Sequence, residues 1–199
     1  MDAAQRVAEA MAACPREEFL PRRERRHARR DGPLPIGHGQ TNSQPRTVAA
    51  MLELLDVQPG DSVLDVGAGS AWTTALLAQL TGPAGRVLGV ERIPELAAVG
   101  AANLERTGMP WAHLGLAVPG VLGSPDDGPF DRILVSAEAQ ALPRSLVDQL
   151  VPDGVMVIPV RGWMHRVRRD PGFDADGNAT GDAQVDVHGA YRFVPLVED

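Results

Sequence analysis

The segment Ser62-Val-Leu-Asp-Val-Gly-Ala-Gly-Ser-Ala-Trp72 decides the fold of this chain. Its apolar run from Val63 to Val66 is short and rich in β-branched side chains, which predicts one buried strand. The run ends at Gly67-Ala68-Gly69, and apolar residues then recur at spacings of three and four, which predicts a helix from about Trp72. Strand, glycine turn and helix open a Rossmann-like unit, whose turn lets a ligand approach bare backbone.

The residues around this turn discriminate between nucleotide-like ligands. A dinucleotide fingerprint needs a third glycine, and Trp72 occupies that position, so a pyrophosphate site is disfavoured. Asp65 precedes the turn, and Glu91 ends the next predicted strand, Arg86–Glu91. Two carboxylates suit S-adenosylmethionine, which has no phosphate and presents an ammonium, a sulfonium and two ribose hydroxyls. The alternative is a tight βα turn followed by a solvated glutamate.

Composition narrows the class of protein. A chain of 199 residues with 44% hydrophobic content fits one domain with an ample core. The net charge of −7 argues against a nucleic-acid binder that depends on phosphate neutralisation. The single cysteine, Cys14, has no internal disulfide partner, which indicates a reducing, cytoplasmic location. We expect no export signal, membrane span or metal site, since His165 and His188 lack partners at ligand spacing.

The first 45 residues combine a helical preface with a loop of polar side chains. A weak apolar stripe predicts a helix that Pro15 ends, and a dense cluster of arginines follows from Arg22 to Arg30. This cluster is either a solvated face or a guide for an acidic peptide substrate. Residues 31–45 contain too many prolines and glycines for a helix, which predicts a long irregular loop of the kind that is usually functional.

The polar side chains of this loop suit the orientation of a polar peptide. They are His38, Gln40, Thr41, Asn42, Ser43 and Gln44. Pro45 then begins a helix that extends to Leu55 with one apolar face. The alternative reading of the loop is that Thr41 or Ser43 simply caps this helix.

Eight motifs follow one another over nearly the whole chain: Pro15-Arg-Glu-Glu-Phe-Leu-Pro21, Pro33-Leu-Pro-Ile-Gly37, Gly39-Gln-Thr-Asn-Ser-Gln-Pro45, Val63-Leu-Asp-Val-Gly-Ala-Gly-Ser70, Pro94-Glu-Leu-Ala97, Pro129-Phe-Asp-Arg-Ile-Leu-Val135, Val157-Ile-Pro-Val160 and Tyr191-Arg-Phe-Val-Pro-Leu196. In this order they resemble the protein-L-isoaspartate O-methyltransferase family. The loop through Ser43 is the most specific of them, because many methyltransferases share the glycine turn.

The resemblance implies an α/β, Rossmann-like methyltransferase fold with a mostly parallel seven-stranded sheet. It implies one methyltransferase domain over residues 1–199, with a helical preface and substrate loop (1–45), a cofactor-binding core (46–160) and C-terminal antiparallel strands (161–199). It places the catalytic residue at Ser43 and the substrate-binding residues at Ile36, Gln40, Thr41 and Asn42. The cofactor, S-adenosylmethionine, is then bound by Asp65, Gly67, Ala68, Gly69, Ser70, Glu91 and Gly120.

Four places in the chain depart from the family pattern, and in one of them the family's Ala-Tyr before the loop is Ala28-Arg29. Ala71 replaces a glycine of the turn, a small change that we expect the turn to absorb. Asn42 replaces a residue that is commonly isoleucine and adds a polar group to the substrate loop. The family's Gly-Asp-Gly falls on Val118-Pro119-Gly120, so the carboxylate that resembles an acceptor for the adenine amino group is missing. Adenine must then be read by backbone or by another group.

The leading hypothesis is methyl transfer from S-adenosylmethionine to L-isoaspartyl carboxylates, by a monomer that repairs proteins or peptides. A close alternative is methylation of a particular Asp in a biosynthetic peptide, which gives an aspartimide. A different class is a degenerate module that binds cofactor or peptide without turnover, and a small-molecule methyltransferase is a further option. None of these hypotheses involves nucleic acid or a membrane.

The C-terminal half completes the predicted sheet. We predict strands over Phe130–Ser136 and Val155–Val160, with a helix that includes Leu146–Leu150 between them. An antiparallel pair, Trp163–Arg169 and Val185–Val197, follows. The polar segment that joins this pair, residues 174–182, is interpreted as a turn, because it lacks the glycine and the glutamate that a calcium loop requires.

Overall fold

The computed structural model describes residues 1–170 and 183–197, with a seven-stranded sheet at its centre. Within this range the α-helices are α1 (Ala3–Ala13), α2 (Pro45–Leu55), α3 (Trp72–Thr81), α4 (Pro94–Glu105) and α5 (Arg144–Val147). The strands are β1 (Leu34–Gly37), β2 (Gln40–Asn42), β3 (Ser62–Val66), β4 (Arg86–Glu91), β5 (Ala112–Leu116), β6 (Phe130–Val135), β7 (Leu150–Val160), β8 (Trp163–Arg169) and β9 (Ala183–Ala190).

The strand order of the large sheet is β5-β4-β3-β6-β7-β8-β9. The first five strands in this order are parallel, whereas β8 and β9 are antiparallel to their neighbours. The predicted mostly parallel, seven-stranded α/β sheet is therefore confirmed. The chain order changes direction at β3, which lies between β4 and β6. Open α/β sheets bind ligands at the carboxyl ends of the strands beside such a switch point.

Strand β3 is covered on both faces, which explains why its apolar residues, Val63, Leu64 and Val66, occur at both odd and even positions. Val63 packs in a core with α1, α2 and α3, while Leu64 and Val66 belong to a second core on the side of α5. The apolar face of α2 is buried at the positions that the spacing predicts: Val48, Met51, Leu52 and Leu55. Burial of such side chains contributes about 1.5–3 kcal/mol each, so these two layers fix the position of β3.

The prediction that residues 31–45 form an irregular loop is wrong for their central part. Strands β1 and β2 pair as an antiparallel hairpin, with Leu34 opposite Asn42. Gly37, His38 and Gly39 connect them with φ angles of 103°, 52° and 72°, and glycine adopts such angles without strain. Strands of three and four residues are too short to show an alternating pattern, so the sequence did not indicate them.

Helix α2 is capped from a distance, and neither Thr41 nor Ser43 serves as its cap. Its N-cap is Gln44, whose side chain makes no capping hydrogen bond. The Asp31 carboxylate instead accepts from the Arg46 N–H (3.2 Å) and from Gln44 Nε2 (3.0 Å). The hydrogen bonds from Gln44 and from the Arg46 backbone hold the pKa of Asp31 below its usual range.

The predicted helix over Leu146–Leu150 is placed too far towards the C-terminus. Helix α5 ends at Val147, and Leu150 already belongs to β7, where it pairs with Phe130 of β6. The β6–β7 register shifts after this pair, and Asp153 has a φ of 64°. This irregular stretch hides the true start of the strand from a reading based on periodicity.

The last predicted strand, Val185–Val197, is too long. β9 ends at Ala190, and the following residues leave the large sheet for the loop after β6. There the Glu138 N–H donates to the Val194 carbonyl (2.8 Å), and the Leu196 N–H donates to the Glu138 carbonyl (2.7 Å). The predicted turn over residues 174–182 lies outside the described residues.

In the described part of the chain, no helix has the length and apolar character needed to cross a bilayer.

Candidate active site

A cavity of about 280 Å³ opens at the carboxyl ends of β3, β4 and β6. Val66 ends β3, Glu91 ends β4 and Ser136 follows β6, and all three line this cavity. The other walls come from segments that are far apart in sequence: the β1–β2 hairpin, the glycine turn, the loop after β5 and the C-terminal segment. The switch point of the sheet is therefore the candidate binding site.

The glycine turn follows a left-handed path. Gly67, Gly69 and Ala71 have φ angles of 79°, 54° and 72°. The N–H groups of Gly67 and Ala68 both donate to the Val90 carbonyl, which ties the turn to β4. An alanine in this conformation costs about 1 kcal/mol relative to glycine. Its methyl group is fully buried in the core, which offsets part of that cost, and the turn keeps its shape.

Glu91 closes the turn from the neighbouring strand. Its Oε2 accepts from the Gly69 N–H (2.9 Å) and its Oε1 accepts from the Ile93 N–H (2.9 Å). The residue is only 5% exposed, yet it lines the cavity. Each carboxylate oxygen retains a second lone pair, so Glu91 can accept further hydrogen bonds from ligand hydroxyl groups.

Asp65 lies behind the turn and is absent from the residues that line the cavity. Its Oδ2 accepts from the hydroxyls of Thr73 and Thr74 (2.7 Å each), and no described residue bonds to its Oδ1. Burial raises the pKa of Asp65 to about 6, opposed by the two threonine hydrogen bonds and assisted by Glu91. Asp65 therefore fixes the start of α3 and places a buried negative potential beneath the site.

Replacement of Asp65 by asparagine is expected to alter how stability depends on pH. The folded-state pKa lies above the value of about 3.9 in an unfolded chain, so the ionised carboxylate disfavours folding at neutral pH. This penalty vanishes as the pH falls below the unfolded value. In urea unfolding between pH 4 and pH 8, the free energy of unfolding of the variant should rise relative to that of the wild type as the pH increases, by on the order of 2 kcal/mol. Asp126→Asn, at an exposed position, is the control and should follow the wild type. If the free energy of unfolding of Asp65→Asn and of the wild type changes equally with pH, the prediction is wrong.

Arg16 organises the hairpin from within the protein, and sequence reasoning missed it. The side chain is 4% exposed and lies over the Trp72 ring, 5.5 Å from its centroid. Its Nη2 donates to the carbonyls of Gly32 (2.9 Å), Asn42 (2.9 Å) and Ser43 (2.8 Å). Burial lowers the pKa of Arg16 to about 10, which still leaves it charged at neutral pH.

Asn42 links the hairpin to the glycine turn. Its Oδ1 accepts from Arg16 Nε (2.7 Å), and its Nδ2 donates to Ser70 Oγ (3.3 Å). Asn103 of α4 holds the same turn, because its Nδ2 donates to the Ser70 carbonyl (2.9 Å). The polar group that Asn42 adds to the loop is thus engaged inside the protein, where it joins the two halves of the site.

Two further walls close the cavity. Residues 117–123, which follow β5, include Gly120 and the exposed side chains of Val118 and Val121. Residues 194–197 of the C-terminal segment lie opposite, held by the backbone bonds to Glu138. The sequence predicted a cofactor-binding residue in the first wall, Gly120, because Val118-Pro119-Gly120 aligns with a family motif. It gave no local signal for the second, which is created by contacts between segments about 60 residues apart.

The structure brings nearly all of the predicted site residues to one cavity. Those that line it are Ile36, Gln40, Thr41, Asn42, Ser43, Gly67, Ala68, Gly69, Ser70, Glu91 and Gly120. Asp65 is the exception, because it lies behind the turn. The individual roles of these residues remain predictions, and their common location makes the predictions testable together.

The sheet order, the glycine turn at the switch point and the carboxylate that ends the next strand define a Rossmann-like methyltransferase fold of the S-adenosylmethionine-dependent class. The model of the protein-L-isoaspartate(D-aspartate) O-methyltransferase family matches residues 1–199. The chain belongs to this family, and the resemblance read from its motifs is confirmed.

Individual relatives agree with this membership. A protein-L-isoaspartate O-methyltransferase of Methanopyrus kandleri is 48% identical over 192 residues, which cover 96% of this chain and 83% of the relative. One of Aeropyrum pernix is 54% identical over 155 residues, which cover 78% of this chain and 60% of the relative. A Plasmodium falciparum protein of the same description, solved with S-adenosyl-L-homocysteine, superimposes with a TM-score of 0.80 at 25% identity. That match covers 98% of this chain and 91% of the other.

Proposed function

We propose that this protein transfers a methyl group from S-adenosylmethionine to the free carboxylate of L-isoaspartyl residues in proteins or peptides. The observation that carries the proposal is the meeting of two segments at one cavity. The hairpin, Ser43 directly after it and the glycine turn line the same cavity, and the hydrogen bond from Asn42 to Ser70 joins them. Family membership supports the same reaction.

The residues of the cavity fit S-adenosylmethionine. Gly67 and Gly69 expose bare backbone, and Glu91 offers acceptors for ribose hydroxyls. Asp65 and Glu91 supply buried negative charge that suits a cationic ligand. Val118 and Val121 provide an apolar surface for adenine, in place of the carboxylate that the family motif carries there. When bound, the cofactor supplies an electrophilic methyl group.

A carboxylate substrate makes modest chemical demands on the protein. Its pKa is near 4, so it is already a nucleophile at neutral pH and needs no strong general base. In agreement, no histidine is present among the described residues that line the cavity. The hydroxyls of Ser43 and Thr41 can orient the carboxylate oxygens by hydrogen bonds, while the hairpin and the C-terminal segment exclude water.

The methyl ester explains how such a reaction leads to repair. The neighbouring backbone nitrogen attacks the ester carbonyl carbon and methanol leaves, which forms a succinimide; an ionised carboxylate is less electrophilic and has no comparable leaving group. Hydrolysis of the succinimide then returns part of the material to ordinary Asp.

Ser43→Ala is expected to lower the rate of methyl transfer by about 10- to 100-fold while cofactor affinity stays within about twofold. The hydroxyl acts on the substrate carboxylate, whereas the cofactor is held by the glycine turn. The measurement is transfer of labelled methyl to an isoaspartyl peptide beside a calorimetric titration with S-adenosylmethionine. Ser145→Ala, an exposed position on α5, is the control. An equal loss of transfer and binding would sink this role for Ser43.

A second candidate function keeps the chemistry and changes the client to one particular Asp of a biosynthetic peptide. The exposed arginines of residues 22–30 favour it, while Asn42 does not, because its side chain is engaged inside the protein. Methyl transfer to two matched peptides, one with isoaspartate and one with Asp, distinguishes the two candidate functions. Transfer to the isoaspartyl peptide alone supports repair, and transfer to the Asp peptide alone supports a dedicated client. Cofactor binding without transfer to either peptide indicates a dedicated client of another sequence or a module that has lost turnover.

We also propose that residues 1–199 act as one methyltransferase domain, as a cytoplasmic monomer without nucleic-acid or membrane partners. The lone buried Cys14 and the acidic net charge support this setting.

A further inference from the structure

The arginine-rich segment, residues 22–30, forms a concentrated positive surface on an acidic protein. It contains six arginines and one glutamate, a formal charge of +5, in a chain whose net charge is −7. All six arginines are exposed. Half-buried Glu24 lies 3.6 Å from Arg23 and 3.4 Å from the His27 ring. The remaining arginines make no ion pair with a described carboxylate: Arg22, Arg25, Arg26, Arg29 and Arg30.

This segment is fixed beside the candidate catalytic loop. Arg16 Nη1 donates to the carbonyls of Ala28 (3.4 Å) and Arg30 (3.1 Å), while its Nη2 donates to the Ser43 carbonyl (2.8 Å). One guanidinium group therefore joins the backbone of the arginine-rich segment to the backbone of Ser43. Ala28 also packs in a small cluster with Ile36, which lines the cavity.

Arg92 is the arginine among the described residues that line the cavity, whereas the arginine-rich segment is held next to the loop through Ser43 and is not part of the lining. Arg92 follows β4 and lines the opening next to Glu91, whose carboxylate is occupied by the backbone of the turn. A peptide that places a carboxylate near Ser43 thus enters the cavity that Arg92 lines, beside the backbone that Arg16 ties to the arginine-rich segment. Six arginines within nine consecutive residues repel one another, and an anionic ligand relieves that repulsion.

We propose that the arginine-rich segment and Arg92 select acidic peptide segments, in which Asp or Glu residues flank the carboxylate that is methylated. The inference rests on the proposed function and specifies its substrate class. The rest of the chain is net acidic, so the positive segment attracts an anionic peptide to the side of the protein that holds Ser43. Guanidinium groups also bind carboxylates through two parallel hydrogen bonds, which favours arginine for this task.

The test uses two isoaspartyl peptides of equal length, one flanked by Asp and Glu and one by Asn and Gln. For the wild type we expect kcat/KM for the acidic peptide to exceed that for the neutral peptide by about fivefold in 50 mM salt, and the difference to shrink in 500 mM salt. Arg26→Gln/Arg29→Gln should remove most of this preference without changing the rate for the neutral peptide. Fluorescence anisotropy with both peptides measures binding separately from transfer.

A charge-matched variant provides the control. Arg86→Gln/Arg168→Gln removes two exposed arginines at the end of the sheet opposite the carboxyl ends of the parallel strands, where the cavity lies. This variant should keep the preference for the acidic peptide. Equal kcat/KM and equal binding of both peptides by the wild type would overturn the inference and leave the proposed function intact. Absence of transfer to either peptide would overturn the proposed function, and the anisotropy ratio would still decide the inference. Tighter binding of a single-stranded oligonucleotide than of the acidic peptide would also overturn it.

Discussion

Arg16→Met is expected to lower methyl transfer on the order of a hundredfold and to destabilise the protein by about 3–5 kcal/mol. The buried guanidinium satisfies the Asn42 amide oxygen and a cluster of backbone carbonyls, among them those of Gly32 and Ser43. Without it these acceptors are left unpaired, at a cost of about 1–3 kcal/mol each where they stay dry. The charge itself was costly to bury, as the lowered pKa of Arg16 indicates, so methionine recovers part of the loss.

The effect on transfer follows from the position of the hairpin. Arg16 holds the Ser43 carbonyl directly and orients Asn42, which in turn bonds to Ser70 of the glycine turn. Loss of these bonds lets the hairpin move relative to the turn, and a displacement near 1 Å is enough to reduce a rate a hundredfold. Single-turnover transfer and urea unfolding measure the two effects.

Two comparisons separate positioning from general destabilisation. Arg16→Lys keeps the charge but lacks the planar fork, so it should restore little of the transfer rate. Arg132→Met removes a half-buried arginine near Asp61 on the far side of the sheet and should cost stability while it leaves transfer unchanged at permissive temperature. Wild-type single-turnover rates in folded Arg16→Met would show that the hairpin is positioned by other contacts.

Gly100→Ala is expected to weaken S-adenosylmethionine binding by about 10- to 100-fold. Gly100 lies in α4, and a Cβ atom there would stand 2.7 Å from the Gly69 carbonyl oxygen and 2.9 Å from Leu114 Cδ1. A carbon atom cannot approach a carbonyl oxygen that closely, so either α4 or the glycine turn must shift. Alanine gains up to about 1 kcal/mol over glycine in a helix, which is smaller than the usual cost of about 1–3 kcal/mol for overpacking.

The measurement is a calorimetric titration with S-adenosylmethionine beside thermal unfolding. Gly115→Ala, in β5 next to α4, is the matched control, because a Cβ atom there meets nothing within 4 Å. It should bind the cofactor as the wild type does. Unchanged affinity in Gly100→Ala would mean that α4 moves away and leaves the turn in place.

Elements with a clear local pattern could be predicted from the sequence. The four apolar positions of α2 are the four that the structure buries, because helical spacing assigns a face before any packing is known. β3 and the glycine turn are equally local, since an apolar run that ends at Gly67-Ala68-Gly69 leaves few alternatives. The predicted secondary structure was wrong where elements are short or irregular, as in the β1–β2 hairpin and at the start of β7.

The residues of the candidate site also differ in how far local sequence predicts their position. Gly67, Gly69 and Glu91 line the cavity because they occupy strand ends and the turn between them, and parallel strands bring such ends together. Asp65 shares that segment but points behind the turn, where Thr73 and Thr74 bind its carboxylate. Residues along a strand alternate between its faces, yet the sequence does not say which face meets the ligand.

The sequence by itself determined the fold class, the family and many of the residues that surround the cavity. The fold class follows from the apolar periodicity and the glycine turn, whereas the family and most of the site residues follow from the resemblance of eight motifs, each local, that occur in order along the chain. Only the tertiary structure decided that Arg16 holds Ser43, that Asn42 bonds to Ser70 and that the segment after β9 closes the cavity. The physical reason is that a buried donor bonds to whichever acceptor packing places within hydrogen-bonding distance, and this partner has no fixed separation along the chain.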